Sequence, residues 1–295
     1  MTAALYALRN GKSVLVIEKS AFGGQITYSP RVENIPGFQV VSGNEFADKF
    51  LEQILSQGAE PEFDEVTELT VDEKSGVKTV KTAMGGTFEA KSVIIATGVK
   101  HRMLGIPGEE ELVGNGISFC AVCDGDFYRG KKVCVAGGGN SAFVEAVLLA
   151  EKCSEVVMLQ DLPEFTADVK LREQLLSHEN VKGRFNTKIT GFLQDNSGNF
   201  SGVHIENKVT GEKELIDCDG LFVAIGLIPE NGIFESFADL DERGYFDTDE
   251  SALTKTEGIF VAGDCRKKNV RQVTTAMSDG AVAAIKACDY LRSLE

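Results

Sequence analysis

Two cysteines with two residues between them, Cys120 and Cys123, stand in the run Ser118-Phe119-Cys120-Ala121-Val122-Cys123-Asp124-Gly125. Two intervening residues let the sulfurs close on each other, and such pairs often carry thiols of lowered pKa. Thiol–disulfide exchange needs an attacking thiolate and a second sulfur near enough to resolve the mixed disulfide. Asp124 follows at once, and a carboxylate there can shuttle a proton if burial raises its pKa. A structural zinc site wants four ligands, usually from a second cysteine pair. No second C-x-x-C exists, and His101, His178 and His204 are scattered without ligand spacing. On residue types alone, a zinc clip and an inert buried pair remain the alternatives to a redox pair.

A second constellation is Gly137-Gly138-Gly139-Asn140-Ser141-Ala142, which fits G-x-G-x-x-A. It follows the apolar run Lys132–Gly137 and opens the helical pattern Ser141–Glu151, the context a dinucleotide-binding turn requires. The first glycine makes the turn, the second lets a pyrophosphate approach the backbone, and the small Ala142 lets helix and strand pack closely. The helix N-terminus then faces the phosphates. An ordinary strand–helix turn is the plainer alternative. The next strand, Glu155–Gln160, ends in Gln160-Asp161-Leu162, and no arginine appears before Arg172. An acid at that place takes ribose hydroxyls, whereas arginines take a 2′-phosphate. Asp161 is therefore the candidate ribose ligand.

These groups need a scaffold. Met1–Gly11 reads as a helix ended by glycine, Ser13–Glu18 as a buried strand ending in an acid, and Phe46–Gln57 as an amphipathic helix. Ser92–Gly98, Leu221–Gly226 and Gly258–Gly263 read as further buried strands, and a last helix runs from about Gln272 to Leu291. Continuous apolar strands alternating with helices imply parallel sheets covered on both faces. The pattern restarts near Lys131, and the final strand and helix look like a closing piece of the first domain. The expected fold class is α/β, with two Rossmann-like, three-layer nucleotide-binding domains, the second inserted into the first. The short, proline-containing crossings Lys100–Gly108 and Pro229–Phe234 are the expected hinges. In the first domain Glu18 is the candidate ribose ligand, but its strand and glycine loop would stand just before the helix that starts at Met1.

Composition narrows the classes. The chain has 295 residues, is 43% hydrophobic and carries a formal net charge of −15. That charge argues against nucleic acid, whose partners carry a basic footprint. No segment approaches the ~20 apolar residues of a membrane span, and no signal peptide opens the chain. The cysteine count is seven, an odd number in a long chain, which argues for a reducing cytoplasm rather than a secreted disulfide scaffold.

Several motifs in order resemble the low-molecular-weight thioredoxin reductase family of flavoproteins, the pyridine nucleotide-disulfide oxidoreductases. They are Gly23-Gly24-Gln25, Val32–Gly37, Ala96-Thr97-Gly98, Leu104–Gly108, Cys120–Gly125, Gly137–Ala142, Gly263-Asp264-Cys265 and Arg271-Gln272. The resemblance spans nearly the whole chain. It implies an FAD-binding domain over residues 1–102 and 229–295, short of its first strand and glycine loop. It implies an NAD(P)-binding domain over residues 103–228 that carries the cysteines. It also implies a Cys120–Cys123 disulfide that passes electrons from FAD to thioredoxin. Cys123 would lie nearer the flavin, Cys120 would attack the substrate disulfide, and Asp124 would protonate the leaving thiolate. FAD would be contacted by Glu18, Gly23, Gly24, Gln25, Asn34, Thr97, Gly98, Asp264, Arg271, Gln272 and Val273. The nicotinamide cofactor would be contacted by Gly137, Gly139, Asn140, Ser141, Glu145 and Asp161. The implied assembly is a cytoplasmic homodimer.

Two departures from the family pattern bear on the chemistry. Where its NADPH users carry basic residues, this chain has Gln160, Asp161, Leu162 and Thr166, so NADH is the expected donor. Val122 replaces the usual threonine and removes a hydroxyl beside the cysteines. Another donor such as ferredoxin, another protein acceptor, or an inactive chain without a complete flavin site are the competing readings.

Overall fold

The computed structural model describes residues 1–295. The chain divides into two compact units, Met1–Lys100 with Ile228–Glu295, and His101–Leu227.

The first unit opens with α1 (Thr2–Arg9), which stops where Gly11 takes a φ of 72°. β1 (Leu15–Glu18) follows. α2 (Gly43–Ser56) starts where the Ser42 hydroxyl accepts the Glu45 N–H at 3.1 Å, satisfying one of the free amides of the first turn. Phe46, Phe50 and Ile54 recur on one face of α2, and that face is buried in a core with Ala4, Val32, Ile35 and Val41. β2 (Glu60–Phe63) pairs parallel with β1, setting Glu18 opposite Phe63. β3 (Val66–Val71), β4 (Lys78–Thr82) and β5 (Thr87–Ala90) form an antiparallel sheet. β6 (Val93–Ile95) then leads to the crossing β7 (Lys100–His101).

The second unit contains α3 (Glu109–Leu112), β8 (Ile117–Ser118), α4 (Ala121–Asp124), β9 (Lys132–Ala136) and α5 (Asn140–Ala150). β10 (Glu155–Leu159), α6 (Val169–Leu176) and β11 (Val181–Arg184) come next. β12 (Thr187–Gln194), β13 (Phe200–Asn207) and β14 (Lys213–Asp217) make a second antiparallel sheet, and β15 (Gly220–Val223) returns to the parallel one. The parallel sheet has the order β11-β10-β9-β15-β8.

Its central strands show why they are apolar throughout. Alternate side chains of a strand point to opposite faces. Val133, Val135, Val156 and Met158 pack with Phe143, Ala146 and Leu149 of α5. Cys134, Ala136, Val157 and Leu159 pack with Phe200, Val203 and Ile205 of β13 and Ile216 of β14. Helices were the expected alternating partners. One cover is instead an antiparallel sheet, which offers the same apolar face.

The crossing β16 (Leu227–Ile228) pairs with β7. β17 (Ile259–Val261) then pairs parallel with β6, and the 21-residue α7 (Val273–Ser293) buries Ala283 and Ala287 in a core with Phe260 and Ala262 of β17 and its flank. The parallel strands of the first unit thus form two pairs, β1–β2 and β17–β6. The expected strand Ser92–Gly98 ends sooner, at Ile95, because Gly98 turns the chain at a φ of 66°. No helix is long and apolar enough to cross a membrane.

Candidate active site

β8 delivers the chain to the cysteine turn. Cys120 caps α4, and its sulfur is bonded to that of Cys123 at 2.15 Å. The Cys123 N–H donates to Cys120 Sγ at 3.2 Å. The Cys120 N–H donates to Ser118 Oγ at 3.1 Å, and Ser118 Oγ donates to Asp124 Oδ2 at 2.6 Å. Asp124 Oδ1 is buried with no partner. Burial raises the Asp124 pKa above the usual carboxylate range, with the Ser118 bond opposing. Glu145, on α5, accepts the Ala121 N–H. Burial raises its pKa; the Ala121 bond opposes this and the charge of Asp124 adds to it. Phe119 stacks on His101 with ring centroids 4.4 Å apart, and burial holds the imidazole down to about 4. Val122 faces out, 51% exposed.

The glycine turn between β9 and α5 needs its glycines. Gly137 has a φ of 125°, and a Cβ there would lie 2.5 Å from the Ala224 carbonyl oxygen. Gly139 is the N-cap of α5, and Ala142 is fully buried against the sheet. Asn140 exchanges two hydrogen bonds with Asp168: its Nδ2 donates to Oδ2 at 2.9 Å, and its Oδ1 accepts the Asp168 N–H at 2.8 Å. Gln160 is buried, with its Nε2 donating to the Glu164 carbonyl at 3.2 Å. A Cβ at Gly138 would lie 2.5 Å from the Gln160 amide, so this side chain sits against the turn. Asp161 faces solvent and meets Lys208 Nζ at 3.3 Å. Sequence reasoning missed Lys208, which lies 47 residues away and reaches Asp161 only through the fold. Glu145, assigned to the nicotinamide contacts, has its carboxylate under the cysteine turn.

In the first unit the remaining candidates lie at element ends and on loops, and two pairs of them, Asn34 with Gln272 and Arg271 with Asp264, are hydrogen-bonded to each other. Glu18 ends β1 and accepts from Ser20 N and Oγ at 2.8 and 3.0 Å. Gly23 and Gly24 have φ of 121° and 62°, conformations that favour glycine. Gln25 Nε2 donates to the Val99 carbonyl. Asn34 Nδ2 donates to Gln272 Oε1 at 3.1 Å, and Gln272 closes a capping box with Thr275 ahead of Val273, the first residue of α7. Thr97 Oγ1 donates to Asn231 Oδ1 at 2.9 Å; Asn231 is buried and donates to the carbonyls of Gly244 and Cys265. Arg271 lies 4.3 Å over the Tyr245 ring and donates to the Asp264 carbonyl at 3.3 Å. Asp264 Oδ1 is buried with no hydrogen-bond partner, its nearest cation being Lys268 Nζ at 4.0 Å; burial and the charge of Asp279 raise its pKa against the pull of Lys268 and Arg271.

The family profile described as pyridine nucleotide-disulphide oxidoreductase matches residues 1–280. This chain belongs to the pyridine nucleotide-disulphide oxidoreductase family. Thioredoxin reductase of Bacillus subtilis (strain 168) is 38% identical over 295 residues, all of this chain and 92% of that one. Thioredoxin reductase of Treponema pallidum (strain Nichols) is 38% identical over 296 residues, covering 100% and 94%. The crystal structure of thioredoxin reductase from Streptococcus pyogenes MGAS5005 superimposes with a TM-score of 0.92 at 37% identity, covering 99% and 94%. The protein is an oxidoreductase of that kind, and the family works with a flavin and a nicotinamide. The first-unit loops fit a flavin on one observation above all. Buried carboxylate oxygens are almost always hydrogen-bonded; Asp264 Oδ1 has no hydrogen-bond donor, only Lys268 Nζ at 4.0 Å, and is free to accept from a flavin hydroxyl.

Proposed function

We propose that this protein is a thioredoxin-disulfide reductase that draws electrons from NADH in preference to NADPH and passes them through FAD to the Cys120–Cys123 disulfide. The observation that carries the reading is the cysteine turn: one bonded sulfur pair, an amide aimed at Cys120 Sγ, and a buried carboxyl beside it. Residues 1–102 and 229–295 form the FAD-binding domain in this reading. Glu18, Gly23, Gly24, Gln25, Asn34, Thr97, Gly98, Asp264, Arg271, Gln272 and Val273 hold the flavin. Residues 103–228 form the nicotinamide domain, with Gly137, Gly139, Asn140 and Ser141 at the pyrophosphate. FAD, when bound, supplies the two-electron step from the nicotinamide to the disulfide.

The chain's own residues do the rest. Once the disulfide is open, the Cys120 thiolate attacks one sulfur of the thioredoxin disulfide. The thioredoxin S–S bond breaks, and the departing thiolate takes the proton held on Asp124. The Cys123 thiolate then attacks Cys120 Sγ, restores the Cys120–Cys123 bond and releases the second thioredoxin sulfur. The donor preference rests on the strand end after β10. Gln160 is turned in against the glycine loop, Asp161 presents a negative charge, and the Arg184 guanidinium is paired with Glu214 at 3.2 Å. A 2′-phosphate meets an acid there, and a ribose diol meets an acceptor. The enzyme works as a cytoplasmic homodimer.

The test is thioredoxin reduction by the FAD-loaded chain with NADH and with NADPH. Faster turnover with NADH, lost in Cys123→Ser, is the expected result. A pronounced NADPH preference would overturn the donor assignment, and no thioredoxin reduction with either donor would overturn the function.

A further inference from the structure

One cation meets the strand end that takes the ribose in the reading above, and that reading gives it no part. We propose that Lys208 is a specificity-determining residue for the dinucleotide: the Asp161 carboxylate holds it away from a 2′-phosphate, so the pair, and not the acid alone, sets the choice of NADH over NADPH. This deepens the donor assignment and rests on it.

Lys208 Nζ lies 3.3 Å from Asp161 Oδ2, with 43% and 59% of the two side chains exposed. A pair this exposed contributes little to stability. What distinguishes it is how the backbone brings the two residues together. Lys208 opens the turn after β13, and Asn207 builds that turn by accepting the N–H groups of Val209 and Thr210 at 2.9 and 3.0 Å. Three backbone bonds then stitch the turn to the end of β10. The Lys208 N–H donates to the Asn186 carbonyl at 2.6 Å, the Asn186 N–H to the Leu162 carbonyl at 2.9 Å, and the Thr187 N–H to the Gln160 carbonyl at 2.9 Å. Asn186 serves both loops from a left-handed φ of 51°, which asparagine adopts more readily than most residues. Asp161 is thus held between two anchored neighbours, and one of them, Gln160, lies against Gly138 of the glycine turn. The cations on the adjoining strands are engaged elsewhere, Arg184 with Glu214 at 3.2 Å and Lys188 with Glu206 at 3.4 Å.

A 2′-phosphate set at this strand end meets one charge of each sign. Asp161 repels it. Lys208 attracts it, but a Lys208 turned to the phosphate leaves Asp161 uncompensated beside a dianion. The lysine therefore gives NADPH little while Asp161 is charged, and becomes a phosphate ligand once that charge is gone. At an exposed site, one unit charge ~4 Å from another changes binding about fivefold. The diol of NADH carries no charge and needs only an acceptor, so Lys208 matters little to it.

The test is calorimetric titration of the oxidised, FAD-loaded chain with NAD+ and with NADP+, which bind without electron transfer. It is run at low ionic strength, where exposed charges are least screened. Asp161→Asn and Lys208→Gln are solvent-facing changes that remove charge and keep most of the side-chain length. Wild type is expected to bind NAD+ the more tightly. Lys208→Gln alone shifts the Kd for NADP+ by about twofold or less. Asp161→Asn tightens NADP+ binding about fivefold or more, and adding Lys208→Gln to it reverses most of that gain. The Kd for NAD+ changes by less than about twofold on loss of Lys208 in either background. An equal effect of Lys208→Gln on NADP+ with and without the Asp161 charge would show that the acid does not mask the lysine, and overturn the proposal. No effect in either background would do the same. A wild-type chain that prefers NADP+ would overturn the donor assignment and the proposal together. A chain that binds neither dinucleotide would overturn the nicotinamide reading of this unit, and the proposal with it.

Discussion

Asp124 sits where its charge is penalised, so it keeps a proton at a pH where an exposed carboxylate has lost one. General-acid assistance by a placed side chain is worth ~100-fold or more. Asp124→Asn is therefore expected to slow thioredoxin reduction about a hundredfold while leaving the Cys120–Cys123 thiols titratable; a loss under about threefold would remove Asp124 from the proton step. His101 gives a stability signal. Its native pKa, about 4, lies below the ordinary 6.5, so between those values the unfolded chain binds a proton that the folded one does not. Stability tied to this residue is present above pH 6.5 and is lost as pH falls toward 4, by up to about 3 kcal/mol at ~1.4 per unit. Denaturation of wild type and His101→Phe, a change that keeps a ring over Phe119, should diverge across that window. At this scale the sequence makes the local features legible. Cys120, Cys123 and Asp124 are adjacent, and their chemistry is written in their spacing. Glu145 under Ala121 and Lys208 on Asp161 are contacts across 24 and 47 residues. No local pattern encodes them, because sheet order places them.

The elements explain why the glycine turn and the helix behind it tolerate little change. Gly137→Ala puts a Cβ at 2.5 Å from the Ala224 backbone oxygen in a conformation L-residues avoid. The turn must shift, and the KM for NADH is expected to rise about tenfold or more while the reduced cysteines still react normally with Ellman's reagent. An unchanged KM would place the nicotinamide elsewhere. Phe143, fully buried on α5 and edge-on to Phe165 at 4.8 Å, fixes that helix to the sheet. Phe143→Ala is expected to cost ~3–5 kcal/mol, read by urea denaturation. The central parallel strands are legible because both faces are buried and apolar, as in Val133–Ala136, whereas the parallel edge strands β2 and β11 are polar and mostly exposed and carry no such signal. The antiparallel sheet of β12–β14 is not legible either. Its pairing slips between Ile189 and Gly191 and again at Gln194, so the alternation that marks a half-exposed strand is broken.

At the scale of the molecule, a chain that leaves one compact unit, builds a second and returns is the architecture expected of a two-cofactor electron carrier. The restart of the pattern near Lys131 falls inside the second compact unit, His101–Leu227. The pairing of the first unit's parallel strands into two separate ladders is not legible in the sequence, because it depends on which strands meet, not on what each is made of. The central claim is that electrons entering at the nicotinamide reach Cys120 and Cys123. The most direct test is anaerobic addition of NADH to the FAD-loaded chain, followed by thiol alkylation and peptide mass analysis against an untreated sample. The account predicts that Cys120 and Cys123 become newly labelled on NADH addition, while the labelling of Cys134, Cys153, Cys218, Cys265 and Cys288 does not change. A flavin bleached by NADH with the Cys120–Cys123 bond still closed would contradict it.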